Sequence, residues 1–394
     1  MTPAELSRTV LTTVRRAVDA AELAVEVPEK VVVQRPPRPG CGDYATNVAL
    51  QLAGPAGRTA REVAEILRRR LAREPGIAGV QIAGAGFLNI TLSSRAYDVV
   101  VRRVREERER YGYGDGLADE RVTVAATDGA VRGTLVAEVA NVLLRAAGAR
   151  PAAPDTPPEP LEVAEPATPA DLSVTPADLS AAPAELSTGR TAPLTLATLE
   201  SALGRDAARW ALLRPPAEDV PRLDAPARAA LLAQREANPL FRVRYAHART
   251  RALLRNAHDL GMPADGEADT ADTCTVEEAG PHPAPVDGGG PSPASPGVPS
   301  PSHHPAETEL LGLIADFPRV VESAARRRGP DRVARHLERL ADAFARFHDE
   351  CGVLPKGDQK PSAVHAARLR LTDAAGIVLA DGLHLLGISA PDRI

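Results

Sequence analysis

Three arginines share one face of a helical stretch in the second half of the chain: Arg244, Arg251 and Arg255 are separated by seven and four residues. Tyr245 and His247 lie beside them. Cations next to an aromatic ring bind phosphate groups and stack on bases, which is what an unpaired RNA loop offers. The spacing therefore predicts an RNA-binding face. The alternative interpretation is a solvated arginine stripe with Tyr245 buried in the core.

Six short motifs accompany this face. They are Gly42-Asp43-Tyr44-Ala45-Thr46-Asn47, Gly84-Ala85-Gly86-Phe87-Leu88-Asn89, Gly204-Arg205-Asp206-Ala207-Ala208-Arg209-Trp210, Asn238-Pro239-Leu240-Phe241, Arg244-Tyr245-Ala246-His247-Ala248-Arg249 and the C-terminal stretch 382–391. The first two resemble the N-terminal tRNA-binding domain of arginyl-tRNA synthetases. The third resembles the Asp-Ala-Leu-Arg motif of that family's anticodon-binding domain. The resemblance covers 1–113 and 195–394, apart from one low-complexity insertion.

The resemblance implies contacts with tRNA at the N-terminal domain. In that family the Gly-Phe-x-Asn turn touches a base of the D-loop, so Phe87 would stack on the base and Asn89 would hydrogen-bond its edge. The alternative makes Phe87 a core residue and Asn89 a turn former. Tyr44 and Asn47 are assigned to the same tRNA-binding site, as residues that support the turn more than they contact RNA.

The resemblance also implies contacts with the anticodon loop. The residues assigned to them are Arg244, Tyr245, His247, Arg251, Arg255, Phe347 and His348. At the last two positions the family usually has Phe-Tyr, and this departure puts one base contact and an arginine-specific anticodon in doubt. The partner implied is nevertheless a tRNA, of the arginine type.

The motifs that catalyse adenylate formation are missing. The family's His-Ile-Gly-His turn would bind ATP phosphates at a helix start, but the matching segment is Gly129-Ala130-Val131-Arg132-Gly133 and the first histidine of the chain is His247. The Lys-Met-Ser-Lys loop matches Glu185-Leu186-Ser187-Thr188, which repels phosphates and is equally well a linker repeat. The sequence predicts no catalytic residue and no cofactor, with ATP implied only if activity survives.

No other catalytic or metal-binding constellation is recognisable. His303-His304 lies in a Pro/Ser-rich stretch without other ligand types nearby, so we predict it to be disordered and inert. The triple glycine at 288–290 lacks the strand and helix that a phosphate loop requires. Three cysteines without short spacing indicate neither a disulfide framework nor zinc, and a cytoplasmic location is expected. No apolar run of membrane-spanning length occurs.

The formal charge of −5 is unevenly distributed. Residues 1–113 and 189–261 each carry +5, whereas 151–188 carries −7 and 262–307 carries −8. The acidic stretches are rich in proline and small residues, and 151–188 contains three tandem seven-residue units, so we predict both to be disordered. The remaining modules are basic enough to meet a phosphate backbone.

Hydrophobic periodicity predicts the elements that position these residues. An α+β N-terminal domain over 1–113 has helices over 3–24, 44–53, 59–73 and from Ser93-Ser94 to Tyr111, with strands at 31–33, 80–82 and 87–92. Residues 114–150 resemble the first strand and helix of a nucleotide-binding α/β fold, here a vestige. Residues 189–394 form an all-α bundle of about five helices, interrupted by the insert. The fold class is α+β, multidomain.

These observations favour a non-catalytic relative of arginyl-tRNA synthetase that binds tRNA through D-loop and anticodon-binding modules. One alternative is a working arginine–tRNA ligase. Another is an interaction protein that partners a full-length synthetase or a tRNA-dependent biosynthetic enzyme through its acidic linkers. Neither DNA nor a membrane is an expected partner.

Overall fold

The computed structural model describes residues 1–36, 41–127, 130–166, 195–262 and 304–394. Several features of the sequence lie outside these ranges. They are Gly129, the three linker repeats with the segment 185–188, the triple glycine at 288–290, and His303. The predicted disorder of 167–188 and 263–303 therefore remains a prediction.

The N-terminal domain places helices on a three-stranded antiparallel sheet. The strands are β1 (Tyr44–Thr46), β2 (Ile77–Ala83) and β3 (Phe87–Leu92), in the order β1-β3-β2. The helices are α1 (Pro3–Asp19), α2 (Val48–Ala53), α3 (Ala60–Leu71) and α4 (Ser94–Glu107), followed by a 3-10 turn at Arg108–Arg110. α1 and α3 each begin with a capping box, in which the threonine hydroxyl accepts from the glutamate N–H and the glutamate carboxylate accepts from the threonine N–H. The predicted cap at Ser93 is confirmed.

The prediction of one helix over 44–53 is wrong at its start. Tyr44 pairs with Ile90 across the sheet, and Ala45 both donates to and accepts from Gln34. These long-range hydrogen bonds override the local helical pattern, so the helix begins only after Asn47.

The predicted strand at 31–33 is also wrong. The sheet-like contact in this stretch is the single bridge between Gln34 and Ala45. The hydroxyl of Ser7 donates to the Val31 carbonyl and that of Thr46 to the Val32 carbonyl, at 2.9 Å for Thr46. Side-chain hydroxyls thus satisfy the backbone where a strand ladder was expected.

The middle of the chain forms a parallel strand pair with a helix. β4 (Val124–Ala126) leads into α5 (Val131–Ala146), and β5 (Glu159–Leu161) returns parallel to β4. The predicted linker therefore begins too early, since 151–166 is ordered on this unit. Pro160 is compatible with an edge strand, where its missing N–H costs no ladder bond. α5 is apolar on most of its surface because it packs against two helices of the helical domain.

The helical domain contains seven helices in the described residues, where about five were predicted. They are α6 (Leu196–Leu203), α7 (Arg205–Leu213), α8 (Ala225–Leu232), α9 (Pro239–Asp259), α10 (Pro305–Arg326), α11 (Asp331–Glu350) and α12 (Ala363–Leu385). Gly204, at φ +77°, separates α6 from α7. Asn238 separates α8 from α9 by capping α9 and donating to two carbonyls at the end of α8.

The second insert ends earlier than 307. His304 caps α10, because its ring accepts from the Ala306 N–H while Glu307 accepts from the His304 N–H. The prediction that His304 is disordered is therefore wrong, and its imidazole has a structural partner. The predicted apolar faces of α10, α11 and α12 are confirmed as buried.

The N-terminal domain docks directly on the helical domain. Tyr111 donates to the Ile314 carbonyl at 3.2 Å and stacks on Phe317, with 6.5 Å between ring centroids. Arg105 pairs with Asp373 at 2.9 Å. The two domains share one continuous apolar core, which fixes the orientation of any surface on one relative to the other. The chain is thus a helix-rich α+β multidomain protein.

Candidate nucleic-acid interface

Phe87 stands at the tip of a tight turn on the surface of the N-terminal domain. Gly84 and Gly86 have φ values of +54° and +141°, which only glycine adopts readily. A β-carbon on Gly86 would lie 2.9 Å from that of Ala60, so the turn presses against the start of α3. Phe87 is 41% exposed. The alternative that Phe87 belongs to the core is therefore wrong.

Two arginines lie beside this turn that sequence reasoning missed. Arg58 and Arg61 flank the start of α3, where Gly86 packs, and both side chains are exposed. Neither forms an ion pair with another described residue. Their proximity to Phe87 depends on the contact between Gly86 and Ala60, which no local pattern reveals. An exposed ring with two unpaired cations can stack on a base while holding its phosphates.

The other residues predicted for this site lie deeper. Asn89 is 9% exposed on β3, opposite Ala45 and Gln81, so it is a strand residue and not a turn former. Tyr44 is buried at 1% exposure, with the Arg35 guanidinium 5.9 Å from its ring centroid. This burial raises the pKa of the Tyr44 hydroxyl. Asn47 accepts from Gln51 at 3.2 Å on α2. The burial of Tyr44 is incompatible with direct contact with RNA, but it is compatible with a role in supporting the turn.

An aromatic and cationic ridge runs along α9. Phe241 and Tyr245 stack with 5.7 Å between ring centroids at 23°. Tyr245 is 50% exposed, so the alternative that it belongs to the core is wrong. One turn further, exposed Arg249 approaches the His348 Nε2 atom of α11 at 3.0 Å. Phe241 lies four residues before Tyr245 and Arg249 four residues after it, a helical spacing that is visible in the sequence.

His348 accepts a hydrogen bond from Arg249, but Phe347 is buried and unavailable. Burial lowers the pKa of His348, and the nearby Arg249 charge lowers it further. The Nε2 atom of His348 accepts from the Arg249 Nε at 3.3 Å, which requires that this ring nitrogen carry no proton. Phe347 is fully buried against Phe344, so the prediction that it contacts a base is wrong. Its neighbour turns outward because successive residues on a helix point about 100° apart.

The predicted arginine face is turned toward the C-terminal tail. Arg251 approaches the Asp392 carboxylate at 3.1 Å, and Arg255 reaches the Asp392 carbonyl at 3.4 Å. His247 is buried, with Nδ1 3.0 Å from the Pro391 carbonyl. Burial lowers the pKa of His247. Direct RNA contact by His247 is therefore excluded in this arrangement, and Arg251 is already engaged.

The Asp-Ala-Ala-Arg motif at the start of α7 anchors the same tail. Asp206 accepts from the Ser389 N–H at 3.1 Å and from the Ser389 hydroxyl. Arg209, 5% exposed, donates to the Leu386 carbonyl at 3.1 Å and pairs with Glu138 of α5 at 2.9 Å. The motif is therefore structural here: it holds the chain end on the bundle and joins α5 to α7.

A cleft of about 420 Å³ opens next to the ridge, between the α6–α7 corner, the start of α9 and the chain end. Arg244 lines it, 3.6 Å from Asp206. Arg205 and Arg393 also line it with exposed side chains, and neither pairs with another described residue. The cleft extends the cationic surface beyond the three predicted arginines.

Other kinds of site are not evident in the described part of the chain. Within it, no group of three His, Cys, Asp or Glu side chains is placed to hold a metal ion. None of its helices is both long and apolar enough to cross a bilayer.

Comparison with known proteins points to one family. The model of the arginyl tRNA synthetase N terminal domain matches residues 8–92, and that of the DALR anticodon binding domain matches residues 243–394. An arginine–tRNA ligase of Frankia alni is 29% identical over 585 residues, with 100% of both chains covered. An arginine–tRNA ligase of Clavibacter sepedonicus is 39% identical over 201 residues, which are 51% of this chain and 30% of that protein.

A solved structure shares the fold. Thermus thermophilus arginyl-tRNA synthetase superimposes with a TM-score of 0.58 at 13% identity, covering 100% of both chains. Likeness at this identity shows the fold alone, and the family models carry the sequence relationship.

Proposed function

We propose that the chain is a member of the arginyl-tRNA synthetase family, whose N-terminal and DALR anticodon-binding domain models it matches, and that it binds tRNA without aminoacylating it. The observation that carries the proposal is the ridge of Phe241, Tyr245 and Arg249 on α9, the helix in which the match to the anticodon-binding domain begins. The exposed Tyr245 ring, stacked on the half-buried Phe241, and the adjacent Arg249 cation suit the unstacked bases and phosphates of an anticodon loop.

The turn at Phe87 supplies a second contact in this proposal. Phe87 would stack on a D-loop base while Arg58 and Arg61 bind neighbouring phosphates. The shared core holds both surfaces in a fixed relative orientation. When a rigid body binds one partner at two points, the second contact forms at high effective concentration. Modest individual contacts can then give a stable complex with a folded tRNA.

Two observations support the absence of aminoacylation. The sequence has no His-x-Gly-His and no lysine between Lys30 and Lys356, so the groups that bind ATP phosphates in the resembled family have no counterpart. The end-to-end alignment with the Frankia alni ligase spans 585 positions, whereas this chain has 394 residues. The difference, 585 less 394, leaves at least 191 aligned positions without a residue in this chain.

The second candidate function is that of an active arginine–tRNA ligase. It is favoured by the names of the relatives that align over their full length, which are arginine–tRNA ligases. ATP–pyrophosphate exchange in the presence of tRNA and arginine separates the two. We expect no exchange above a no-enzyme blank. Exchange that depends on all three substrates would favour the ligase and contradict our proposal.

Binding itself is tested with the full chain and total tRNA in a filter-binding assay at several salt concentrations between roughly 50 and 200 mM. We expect saturable binding that weakens as salt rises, because phosphate contacts release counterions. Duplex DNA of equal length serves as the polyanion control. No binding to tRNA at low salt, or equal binding to DNA, would refute tRNA recognition. Comparison of an arginine-type transcript with total tRNA then tests the proposed tRNA class.

A further inference from the structure

The N-terminus of α5 is bound by a carboxylate from a distant part of the chain. Glu165 Oε1 accepts from the Gly133 N–H at 2.7 Å, and Oε2 accepts from the Arg132 N–H at 3.1 Å. The N-cap residue of α5 is Ala130, whose methyl side chain cannot cap the helix. A remote anion therefore neutralises the positive end of this helix.

This helix end has the setting of an anion site. α5 follows β4 in a parallel strand–helix–strand unit, so its N-terminus lies outside the carboxyl end of the strands, where such units bind phosphate groups. The chain continues from β5 across that edge, and Thr127 fastens it by donating to the Leu161 carbonyl at 3.2 Å. A β-carbon on Gly133 would lie 3.4 Å from Glu165 Oε1 and 3.1 Å from the Ala126 β-carbon, so glycine leaves just enough room for the carboxylate.

A buried arginine holds the same segment in place. Arg132 is fully buried, and its guanidinium donates to six backbone carbonyls. They belong to Leu212, Pro215, Pro216, Ala217, Asp219 and Ala164. Ala164 also donates to the Ala217 carbonyl at 2.7 Å. One residue of α5 thus joins the segment carrying Glu165 to the loop after α7, leaving the carboxylate little freedom to withdraw.

We propose that Glu165 is an internal substitute for a phosphate group, which closes the N-terminus of α5 to nucleotides and leaves a latent oxyanion site beneath it. The inference rests on the proposed loss of catalysis, and it is independent of tRNA binding. Two oxygens on adjacent helical N–H groups are the arrangement a bound phosphate would use. A nucleotide can enter only if the carboxylate leaves, which the anchoring at Arg132 opposes.

The test is thermal unfolding of the full chain, without tRNA, in sodium pyrophosphate or in sodium chloride of equal ionic strength. We expect Glu165→Ala to lower the Tm by roughly 2–6 °C in chloride, since a helix cap and its charge are lost. Pyrophosphate should restore at least half of that loss in Glu165→Ala. It should shift neither the wild type nor Glu162→Ala, which removes an exposed carboxylate from the same segment.

The outcomes divide cleanly. Equal stabilisation of the wild type and Glu165→Ala by pyrophosphate would mean that the site is open in the wild type, and it would overturn the proposal. The proposal would also be overturned if Glu165→Ala had the Tm of the wild type in chloride, or if pyrophosphate did not restore the Tm that Glu165→Ala loses. If Glu165→Ala does not fold, two other measurements test the proposal. They are thermal unfolding of Glu165→Gln and equilibrium dialysis of the wild type with radiolabelled ATP. Glu165→Gln should be destabilised without rescue, because its amide still fills the site, and the wild type should retain no ATP. Rescue of Glu165→Gln or ATP retention would overturn the proposal.

Filter binding of tRNA to the wild type is measured separately. If tRNA does not bind but the pyrophosphate result is as expected, the proposed function fails while the closed site stands. If tRNA binds and pyrophosphate stabilises the wild type, the closed site fails while tRNA binding stands.

Discussion

At the scale of single residues, Tyr245 is the side chain on which RNA stacking depends most. It is 50% exposed at the outer end of the stacked pair with Phe241. Stacking of a base on an aromatic ring contributes about 1–3 kcal/mol. We expect Tyr245→Ala to weaken tRNA binding by about 5- to 100-fold in a filter-binding assay, with a small change in Tm because the ring is largely in solvent.

The matched control is Tyr113→Ala, which removes another tyrosine, 43% exposed, outside both candidate surfaces. It should leave tRNA affinity unchanged. Equal weakening by the two variants would mean that exposed rings contribute nonspecifically, and the ridge would lose its assigned role.

Asp392 is the residue that competes most directly with a phosphate. Its carboxylate lies 3.1 Å from the Arg251 side chain, on the face predicted to bind RNA. Because the pair is exposed, breaking it costs about 0–1 kcal/mol of stability and frees a cation for phosphate. We expect Asp392→Asn to strengthen tRNA binding by about 2- to 5-fold at low salt, and less as salt screens the charge.

Asp358→Asn removes an equal charge from an exposed position with no ion pair to another described residue, so it reports the effect of net charge alone. The salt dependence of tRNA affinity is compared for the two variants. A similar gain in both would assign the effect to overall charge, and weaker binding of Asp392→Asn would mean that the tail itself helps to bind RNA.

At the scale of elements, the β2–β3 turn determines where Phe87 points. Gly86→Ala would place a β-carbon 2.9 Å from that of Ala60 at a φ of +141°, so the turn must move. Left-handed strain costs about 1–3 kcal/mol, and the clash adds to it. We expect a lower Tm together with weaker tRNA binding, measured by thermal unfolding and filter binding.

Gly79→Ala provides the control within the same sheet. A β-carbon there meets no other atom within 4 Å, and Gly79 is not among the residues with positive φ. This variant should keep wild-type stability and affinity. If Gly86→Ala bound tRNA as tightly as Gly79→Ala does, the turn would not be a contact.

Elements with strong periodicity could be predicted from the sequence, and those defined by distant partners could not. α3, α10 and α11 show their buried faces in the spacing of their apolar residues. β1 could not be predicted because its three residues are held by Ile90, Asn89 and Leu88, which lie more than forty positions away. Gly204 was visible in the sequence, but its φ of +77° follows from the packing of α6 and α7.

The candidate site shows the same division. The sequence motifs indicated the turn at Phe87 and the face around Arg244, but they did not indicate which side chains reach solvent. Phe347 and His247 face the core, whereas Arg249 and Phe241 lie along the ridge. Residues of the C-terminal tail contact α9, from which they are separated by more than a hundred positions in the sequence. The ion pair of Arg251 with Asp392 could therefore be found only in the structure.

At the scale of the whole molecule, the junction between the two domains contains a buried acid. Asp381 of α12 is 4% exposed and lies against the Gly112 backbone, just after the 3-10 turn. Burial raises its pKa from an ordinary 3.8 to about 7; the Gly112 N–H opposes this and the nearby Glu109 charge adds to it. Its Oδ2 atom has no hydrogen-bond partner among the described residues.

The sign of the pH effect follows from proton counts. Between about pH 4 and pH 7 the folded state keeps a proton on Asp381 that the unfolded chain has released, so its contribution to stability falls as pH rises through this window. Above about pH 7 that loss is complete. Asp381→Asn cannot ionise, and we expect it to exceed the wild type by about 1–3 kcal/mol at pH 8 and to match it within about 0.5 kcal/mol at pH 4.

Chemical denaturation at several pH values measures this difference in unfolding free energy. Asp358→Asn, at an exposed position, is the control, and its difference in stability from the wild type should not change with pH. Because one core spans both domains, loosening of the junction should appear as a single unfolding transition at a lower denaturant midpoint. Two separate transitions would show that the domains unfold independently, and the fixed geometry assumed for two-point tRNA binding would then have to be abandoned. If the wild type instead became more stable than Asp381→Asn as the pH rises, the Asp381 carboxylate would be stabilised as an anion, contrary to the prediction.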